Sequence, residues 1–241
     1  MEENLKMKVS VCMATYNGEK YIKEQIESIL IQLSDRDELI ISDDHSTDRT
    51  LKIVREFKDS RIKIYMNEGT KGYVPNFENA LKKAKGDIIF FSDQDDIWLP
   101  SKLIKCVEGL KENDLIVTNA KVVDDEKKVL EESLFKICNT KTGLFHNWIK
   151  NRYYGCCLAF KKEILKKILP FPKQYSICSH DRWIPIICEM YYKVGLIYEP
   201  LLLYRRHSYN VSCFGKSDNS LIIKILIRIY PLWKSILRYY K

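Results

Sequence analysis

The chain has 241 residues, 46% of them hydrophobic and 30% charged, a composition that excludes a disordered or collagen-like protein and allows a sizeable core. Lys and Arg exceed Asp and Glu by eight, which favours anionic partners such as nucleic acid, anionic lipid or phosphorylated substrates. Its eight cysteines form no C-x-x-C pair, several lie inside apolar runs, and the polar start Met1-Glu2-Glu3-Asn4 is no signal peptide, so they read as reduced thiols of a cytosolic protein.

Strand and helix signals alternate through the first half. Val9–Ala14 is a short apolar run, and after the Asn17-Gly18 loop the apolar residues of 19–33 recur at helical spacing. A second strand, Glu38–Ser42, runs into Asp43-Asp44. Ser46 or Thr47 is placed to cap a helix that reaches Phe57. Arg61–Met66 reads as a strand, Val74–Ala84 as a helix, and Asp87–Ser92 as a strand apolar enough to be buried on both faces. Pro100 suits the first turn of a helix over 101–110, and Leu115–Val123 closes the series. Repeated β-α-β units predict an α/β fold, a mainly parallel sheet with helices on both faces.

The second half is less regular. Residues 126–150 are polar and weakly periodic, a long loop with short helical pieces. A strand at Cys156–Phe160, helices at 162–169 and 184–192, and an extended stretch at 196–204 follow. The last stretch, 221–240, is almost continuously apolar but carries Lys224, Arg228, Lys234, Arg238 and, just beyond it, Lys241, which gather on one side of a helix at roughly 100° per residue. The cations and Pro231 argue against a membrane span. Two readings stay open: an interfacial amphipathic helix, single or bent at Pro231, and a terminal helix packed on the core with a solvated basic face.

Ligands of open parallel sheets bind beyond the carboxyl ends of the strands. Here one strand ends in Ala14-Thr15-Tyr16-Asn17, another in Asp43-Asp44 and a third in Asp93-Gln94-Asp95-Asp96. Carboxylates at that density past a buried strand repel one another unless a cation sits among them, and a divalent ion could also bind a substrate diphosphate. The competing reading is an acidic cap for the following helix. The absence of G-x-x-x-x-G-K-[ST] and G-x-G-x-x-G disfavours a P-loop nucleotidase and a dinucleotide enzyme. Lys71 reads either as a diphosphate ligand or as a solvated surface lysine.

These ordered segments, with Ser42-Asp43-Asp44-His45-Ser46-Thr47-Asp48 and Ser92-Asp93-Gln94-Asp95-Asp96-Ile97-Trp98-Leu99-Pro100, resemble glycosyltransferase family 2, in particular its bacterial rhamnosyltransferase-like branch, from about residue 8 to 212. The resemblance implies a GT-A (Rossmann-like) fold and inverting sugar transfer from a nucleoside-diphosphate sugar with Mn²⁺ or Mg²⁺. It implies that Tyr16 lies beside the nucleotide base, that Asp44 hydrogen-bonds it, that Asp93 contacts the donor's ribose side and that Asp95 leads the metal ligands. Ser179-His180-Asp181-Arg182-Trp183 resembles the segment with the general base, which makes Asp181 the base; an N-cap is the other reading. Tyr204-Arg205-Arg206-His207 resembles the stretch whose histidine reaches the metal or diphosphate, although His207 also fits a surface histidine. Arg182-Trp183 completes only the end of the processive Q-x-x-R-W motif, with Ser179 where Gln would stand, which implies one sugar per encounter. Asn210-Val211-Ser212 is a sequon that a cytosolic protein leaves unmodified.

The resulting expectation is a catalytic domain over 1–215, with a donor half to about 123 and an acceptor half from about 124. A basic segment, 216–241, then holds the enzyme at the inner membrane face near a lipid-linked glycan. The rivals are a nucleotidyltransferase, which lacks its Gly-rich, Arg-containing loop at Asn17–Lys20; a non-catalytic accessory module, which would not need the carboxylates; and a nucleic-acid binder, for which no motif is present.

Overall fold

The computed structural model describes residues 7–207 and 219–239. The sequon and Cys213 lie outside them. The first half builds strands β1 (Val9–Thr15), β2 (Glu38–Asp43), β3 (Ile62–Met66) and β4 (Ile88–Ser92), linked by helices α1 (Ile22–Leu30), α2 (Thr50–Glu56) and α3 (Tyr73–Lys83). All four strands are parallel, in the order β3-β2-β1-β4. β2 and β4 are buried throughout. The path moves one way from β1 to β3 and then returns past β1 to reach β4. Right-handed crossovers therefore put α3, which packs on β1 and β2, on the face opposite α1 and α2, which pack together. That reversal opens a crevice at the carboxyl ends of β1 and β4.

The rest of the sheet departs from the parallel expectation. β5 (Ile97–Trp98), β6 (Leu115–Val123), β7 (Val129–Glu131), β8 (Leu158–Lys161) and β9 (Val194–Arg205) extend it in the order β4-β8-β6-β9-β5, with β7 beside β6. Only the β6–β9 pairing is parallel there; β8 runs antiparallel to β4 and β6, and β5 antiparallel to β9. The sheet is mixed because β8 inserts antiparallel between β4 and β6, and β5 pairs antiparallel with β9 at the edge. Helix α4 (Lys102–Gly109) follows β5, and α5 (Leu134–Cys138) and α6 (Leu144–Ile149) are the short pieces of the long loop. Helix α7 (Leu165–Ile168) is a single turn, and α8 (His180–Tyr191) begins four residues earlier than its apolar periodicity indicates. Neither Ser46 nor Thr47 caps α2. Its first turn is served by Asp48, which accepts from Thr50 N–H at 2.9 Å.

Helix α9 (Leu221–Ile236) runs through Pro231 without ending and docks on α6 and α8. Trp148 Nε1 donates to the Arg228 carbonyl at 2.9 Å, Tyr191 Oη to the Ser235 carbonyl at 2.8 Å, and Arg238 to the carbonyls of Leu169 and Pro170 at 2.9 and 2.6 Å. No helix among the described residues is long and apolar enough to cross a membrane. The seven described cysteines are all buried free thiols, the hydrophobe role their apolar context suggests.

One buried carboxylate ties the amino ends of the central strands. Glu38 is 5% exposed and accepts from Ser10 Oγ at 2.5 Å, Lys85 N–H at 2.8 Å and Lys8 Nζ at 3.2 Å. Burial alone would raise its pKa, but these donors outweigh burial and lower it. A depressed carboxylate contributes stability above its unfolded pKa and loses it as pH falls through the folded value. Glu38→Gln is expected to cost about 1–3 kcal/mol at pH 7. In urea melts as a function of pH, the gap to wild type should shrink below about pH 4.

Candidate active site

The three loaded strand ends meet at the crevice. After β1 the chain turns at Asn17, with φ +47°, and a lattice of short polar bonds fixes it to the loop after β2. Asn17 N–H donates to Ser46 Oγ at 2.9 Å, and Thr47 N–H returns a bond to Asn17 Oδ1 at 2.8 Å. Asp43 Oδ2 accepts from Ser46 Oγ at 2.6 Å and Thr15 Oγ1 at 2.9 Å. The serine and threonine read as helix caps thus bind the two loops together. Tyr16, half exposed above them, presents a free aromatic face at the mouth.

Asp44 is buried, with Asn67 Nδ2 donating to Oδ1 at 2.7 Å and Gly72 N–H to Oδ2 at 2.8 Å. It therefore orders the 67–72 loop, and any bond to a nucleotide base would use a remaining lone pair. Lys71 is exposed on that loop beside Gly72.

Gln94 is a site residue the sequence reading passed over. Its side-chain amide brackets the Tyr16 backbone, accepting from Tyr16 N–H at 2.9 Å and donating to Tyr16 O at 3.0 Å. This clamp locks the end of β1 to the acidic run. It requires a glycine at position 18, where an added Cβ would sit 2.3 Å from Gln94 Oε1. The alternation Asp-Gln-Asp hides the role, because Gln94 reads as a spacer between acids.

The acidic run itself points in several directions. Asp96 is 1% exposed; one oxygen accepts Arg205 N–H at 3.0 Å and the other, Oδ2, is buried without a hydrogen-bond partner. Asp93 is partly open, and donor atoms of Asp93, Asp96 and Cys156 all lie within 4.8 Å of one another. Burial, then the charges of Asp95 and Asp181, push the Asp93 carboxyl up to about 8. Burial, then the charges of Asp95 and Asp93, raises Asp96 well above the usual range. Asp95 is half-buried, and His207 Nε2 lies 2.8 Å from its Oδ2, the histidine ring stacked on Tyr21 at 4.8 Å. His207 is thus no surface histidine.

These groups fit a hard divalent cation. Asp93, Asp96 and Cys156 share one small volume, and the buried Asp96 Oδ2 has no charged donor to balance it. Because Asp96 is fully enclosed, the partly open Asp93 and Asp95 are the carboxylates able to share an ion with a substrate.

Arg205, unremarked within Tyr204–His207, holds the run in place. Only 2% exposed, it donates through Nε to the Asp95 carbonyl at 2.9 Å, through Nη1 to the Asp125 carbonyl at 3.0 Å and through Nη2 to Glu24 at 2.6 Å. Its guanidinium also lies over the Tyr21 ring, 5.0 Å from the centroid. The sequence offered two adjacent arginines and no means of choosing the one that points inward.

Helix α8 brings a further carboxylate to this cluster. Asp181 sits in its first turn, with Oδ1 buried and without a hydrogen-bond partner, and Ser179 occupies the N-cap position, so capping does not account for Asp181. Asp181 is close enough to Asp93 to raise it electrostatically. Tyr73, at the start of α3, faces both carboxylates: burial, then Asp181 and Asp93, push its hydroxyl up to about 12. It is a second residue the sequence reading missed. His180 is buried against Phe77 and Phe91, and burial lowers its pKa. Trp183 is buried in the core, donating to the Ile168 carbonyl at 2.8 Å, so it cannot stack on a sugar as an exposed tryptophan would.

The family model described as Glycosyl transferase family 2 matches residues 10–169. The Escherichia coli UDP-Glc:alpha-D-GlcNAc-diphosphoundecaprenol beta-1,3-glucosyltransferase WfgD is 37% identical over 166 residues, covering 68% of this chain and 64% of its own length. The Shigella flexneri dTDP-rhamnosyl transferase RfbG is 32% identical over 215 residues, 82% of this chain and 72% of that protein. Among solved structures, S. aureus TarS 1–349 in complex with UDP-GlcNAc superposes with a TM-score of 0.69 at 21% identity, over 97% of this chain and 73% of that one. Mannosyltransferase PcManGT from Pyrobaculum calidifontis, in complex with GDP-Man and Mn²⁺, gives 0.62 at 18% identity, over 98% and 79%. The fold is therefore that of the GT-A glycosyltransferases.

The Gln94 clamp is open to a double-mutant cycle. Gly18→Ala and Gln94→Ala should each destabilise by about 1–2 kcal/mol in urea unfolding, since both break the same pair of hydrogen bonds. The double variant should lose clearly less than the sum of the two. Additive losses would show that Gly18 does not serve the clamp.

Proposed function

The chain belongs to glycosyl transferase family 2, and from that premise we propose that it moves a sugar, with inversion and one unit at a time, from a nucleoside diphosphate to a hydroxyl of a lipid-linked glycan. The observation that carries this reading is the convergence of Asp181, whose Oδ1 has no hydrogen-bond partner, on the clustered Asp93 and Asp96, with Tyr73 facing both Asp181 and Asp93.

On the donor side, Tyr16 offers a stacking face to the base, and Asp44 and Lys71 border the 67–72 loop along which the nucleotide would lie. Asp93 lies toward the ribose and diphosphate. Asp93, Asp95 and His207 would hold a divalent cation, Mn²⁺ or Mg²⁺, which would supply Lewis-acid charge to a departing diphosphate. Arg205 keeps Asp95 and Asp96 from spreading apart, and Gln94 fixes their distance from Tyr16. On the acceptor side, the half-buried Asp181 takes the proton of the attacking hydroxyl. Tyr73, between Asp181 and Asp93, would orient the sugar between them. Inverting transfer is a single displacement, so one base suffices.

The name of the E. coli relative supports a diphospholipid-borne acceptor, and those of the two relatives together support either UDP-glucose or dTDP-rhamnose as donor. In this reading residues 1–215 form the catalytic domain, divided near 123 into donor and acceptor halves. The segment 216–241 brings the enzyme to the inner face of the cytoplasmic membrane, where polysaccharide precursors are assembled.

Thermal-shift screening of UDP-glucose, UDP-GlcNAc, dTDP-rhamnose and GDP-mannose with and without Mn²⁺ should reveal a metal-dependent donor, because only a ligand of the folded state raises Tm. Asp95→Ala should abolish the metal-dependent shift. Asp181→Asn should keep it while transfer falls roughly 10²–10⁴-fold. Undiminished transfer by Asp181→Asn would remove the base from the mechanism.

A further inference from the structure

Strand β8 pairs antiparallel with β4, Ile88 facing Lys161, Ile89 facing Phe160 and Phe90 facing Ala159. Carried past that ladder, the same register sets Cys156 opposite Asp93. The turn Gly155–Cys157 that holds the cysteine is fixed from several directions. Lys102 Nζ donates to the Cys156 carbonyl at 3.0 Å, and Cys157 N–H to the Tyr154 carbonyl at 3.0 Å. His180 closes against Gly155, where an added Cβ would sit 2.5 Å from its Nε2. Cys156, 1% exposed, is thus held beside the acidic run by the backbone on both sides of it.

A buried cysteine is ordinarily a small hydrophobe. Cys156 keeps different company. Its sulfur and one oxygen each of Asp93 and Asp96 lie within 4.8 Å of one another, and among the described residues no other group of three such donors lies so close. Asp96 commits Oδ1 to Arg205 N–H at 3.0 Å, and its Oδ2 is buried without a hydrogen-bond partner. An oxygen enclosed in this way is costly unless an ion or a donor meets it. Around a zinc-sized ion, with bonds of about 2.0–2.3 Å, tetrahedral donors stand about 3.5 Å apart. Separations of up to 4.8 Å need to shorten by little more than about an ångström to reach that.

We infer that Asp93, Asp96 and Cys156 form an inner, enclosed cation seat that takes a thiophilic ion, Zn²⁺ or Co²⁺, in preference to Mg²⁺. The thiol releases its proton to solvent as the sulfur binds, since only the thiolate is a ligand. Sulfur selects such ions over magnesium, whereas the outer set of Asp93, Asp95 and His207 offers only oxygen and nitrogen. The two seats share Asp93, so an ion in one excludes an ion in the other. Three anionic donors exceed the two charges of the ion, which leaves the inner seat negative and unsuited to a diphosphate. A thiophilic ion therefore antagonises the donor metal and does not replace it. The antagonism rests on the reading of Asp93, Asp95 and His207 as donor-metal ligands; the inner seat does not.

Titration of the whole chain with Co²⁺ tests the seat, because a cobalt–thiolate bond gives a near-ultraviolet charge-transfer band and a cobalt–carboxylate bond does not. Wild type should give the band, saturating at one equivalent, and Zn²⁺ but not an excess of Mg²⁺ should remove it. Cys156→Ser and Cys156→Ala should lose the band. Cys157→Ser should keep it, since that thiol neighbours Lys102 and Thr118 and lies outside the group of three. Asp96→Asn should weaken Co²⁺ binding roughly tenfold or more. A cooperative urea transition like that of wild type identifies the folded variants. No band in wild type, or an equal band in a folded Cys156 variant, would overturn the proposal. One equivalent of Zn²⁺ should also suppress the Mn²⁺-dependent donor shift of wild type, and an undiminished shift would refute the antagonism. A cobalt band in a protein that shows no donor shift would instead count against the transferase reading and leave the inner seat standing.

Discussion

Asp93 and Asp96 are held within 4.8 Å of each other at the end of a buried strand, with the charge of Asp95 acting on both, and the molecule is arranged around keeping them there. Arg205 is the principal counterweight. It bonds the backbone of Asp95 with its guanidinium, the side chain of Asp96 with its own N–H, and then anchors to Glu24 on α1 and Asp125 in the β6–β7 turn. Four parts of the chain, far apart in sequence, are joined through one enclosed side chain. A lysine could not do this, because the planar fork reaches several acceptors in fixed directions. The charge it brings is nevertheless incomplete. Asp93 and Asp96 remain raised and one oxygen stays orphaned, so the arrangement is strained toward a further cation. The protein supplies enough positive charge to fold the site and leaves a deficit that a ligand can fill.

The same economy explains why the donor side was legible in the sequence and the framework around it was not. Tyr16, Asp44 and Asp93–Asp96 follow buried parallel strands, and such strands announce themselves as continuous apolar runs whose ends are the next few residues. Everything needed to find them is local. Gln94, Arg205 and Tyr73 act through the direction of a side chain across a long sequence gap, which periodicity does not encode. The two-residue strand Ile97–Trp98 was invisible for a related reason, because its pairing with Leu202-Leu203 exists only once the sheet has formed. The long 126–150 loop hid less than it suggested. The turn that leads into it supplies Asp125 to Lys20, Tyr21 and Arg205, and its short α6 supports α9.

Helix α9 shows a different limit. Its amphipathicity and the clustering of its cations follow from the sequence, but which side meets the domain does not. Both a soluble packing helix and an interfacial one have two faces; only the fold assigns them. Small contacts made the assignment here. Pro231 and Ser235 lie against α8, and Arg238 reaches the carbonyls at Leu169 and Pro170, which commits the basic side inward. Once that side is committed, the isoleucines have nowhere to go but outward.

The net charge acquires a location from this. Five cations and no acid lie between Asn219 and Lys241, so over half of the chain's excess of eight positive charges sits at that end. The crevice, by contrast, is a concentration of acids. A molecule with an acidic site and a basic flank meets a diphosphate in two ways: through a cation at the carboxylates, and directly at the arginines. Arg182 stands between the two regions, next to Asp181 in sequence and near Arg228 in space, with one guanidinium nitrogen buried and unpartnered. The carboxylate that would accept the proton and the cation that faces the basic helix are therefore consecutive residues on one helical turn.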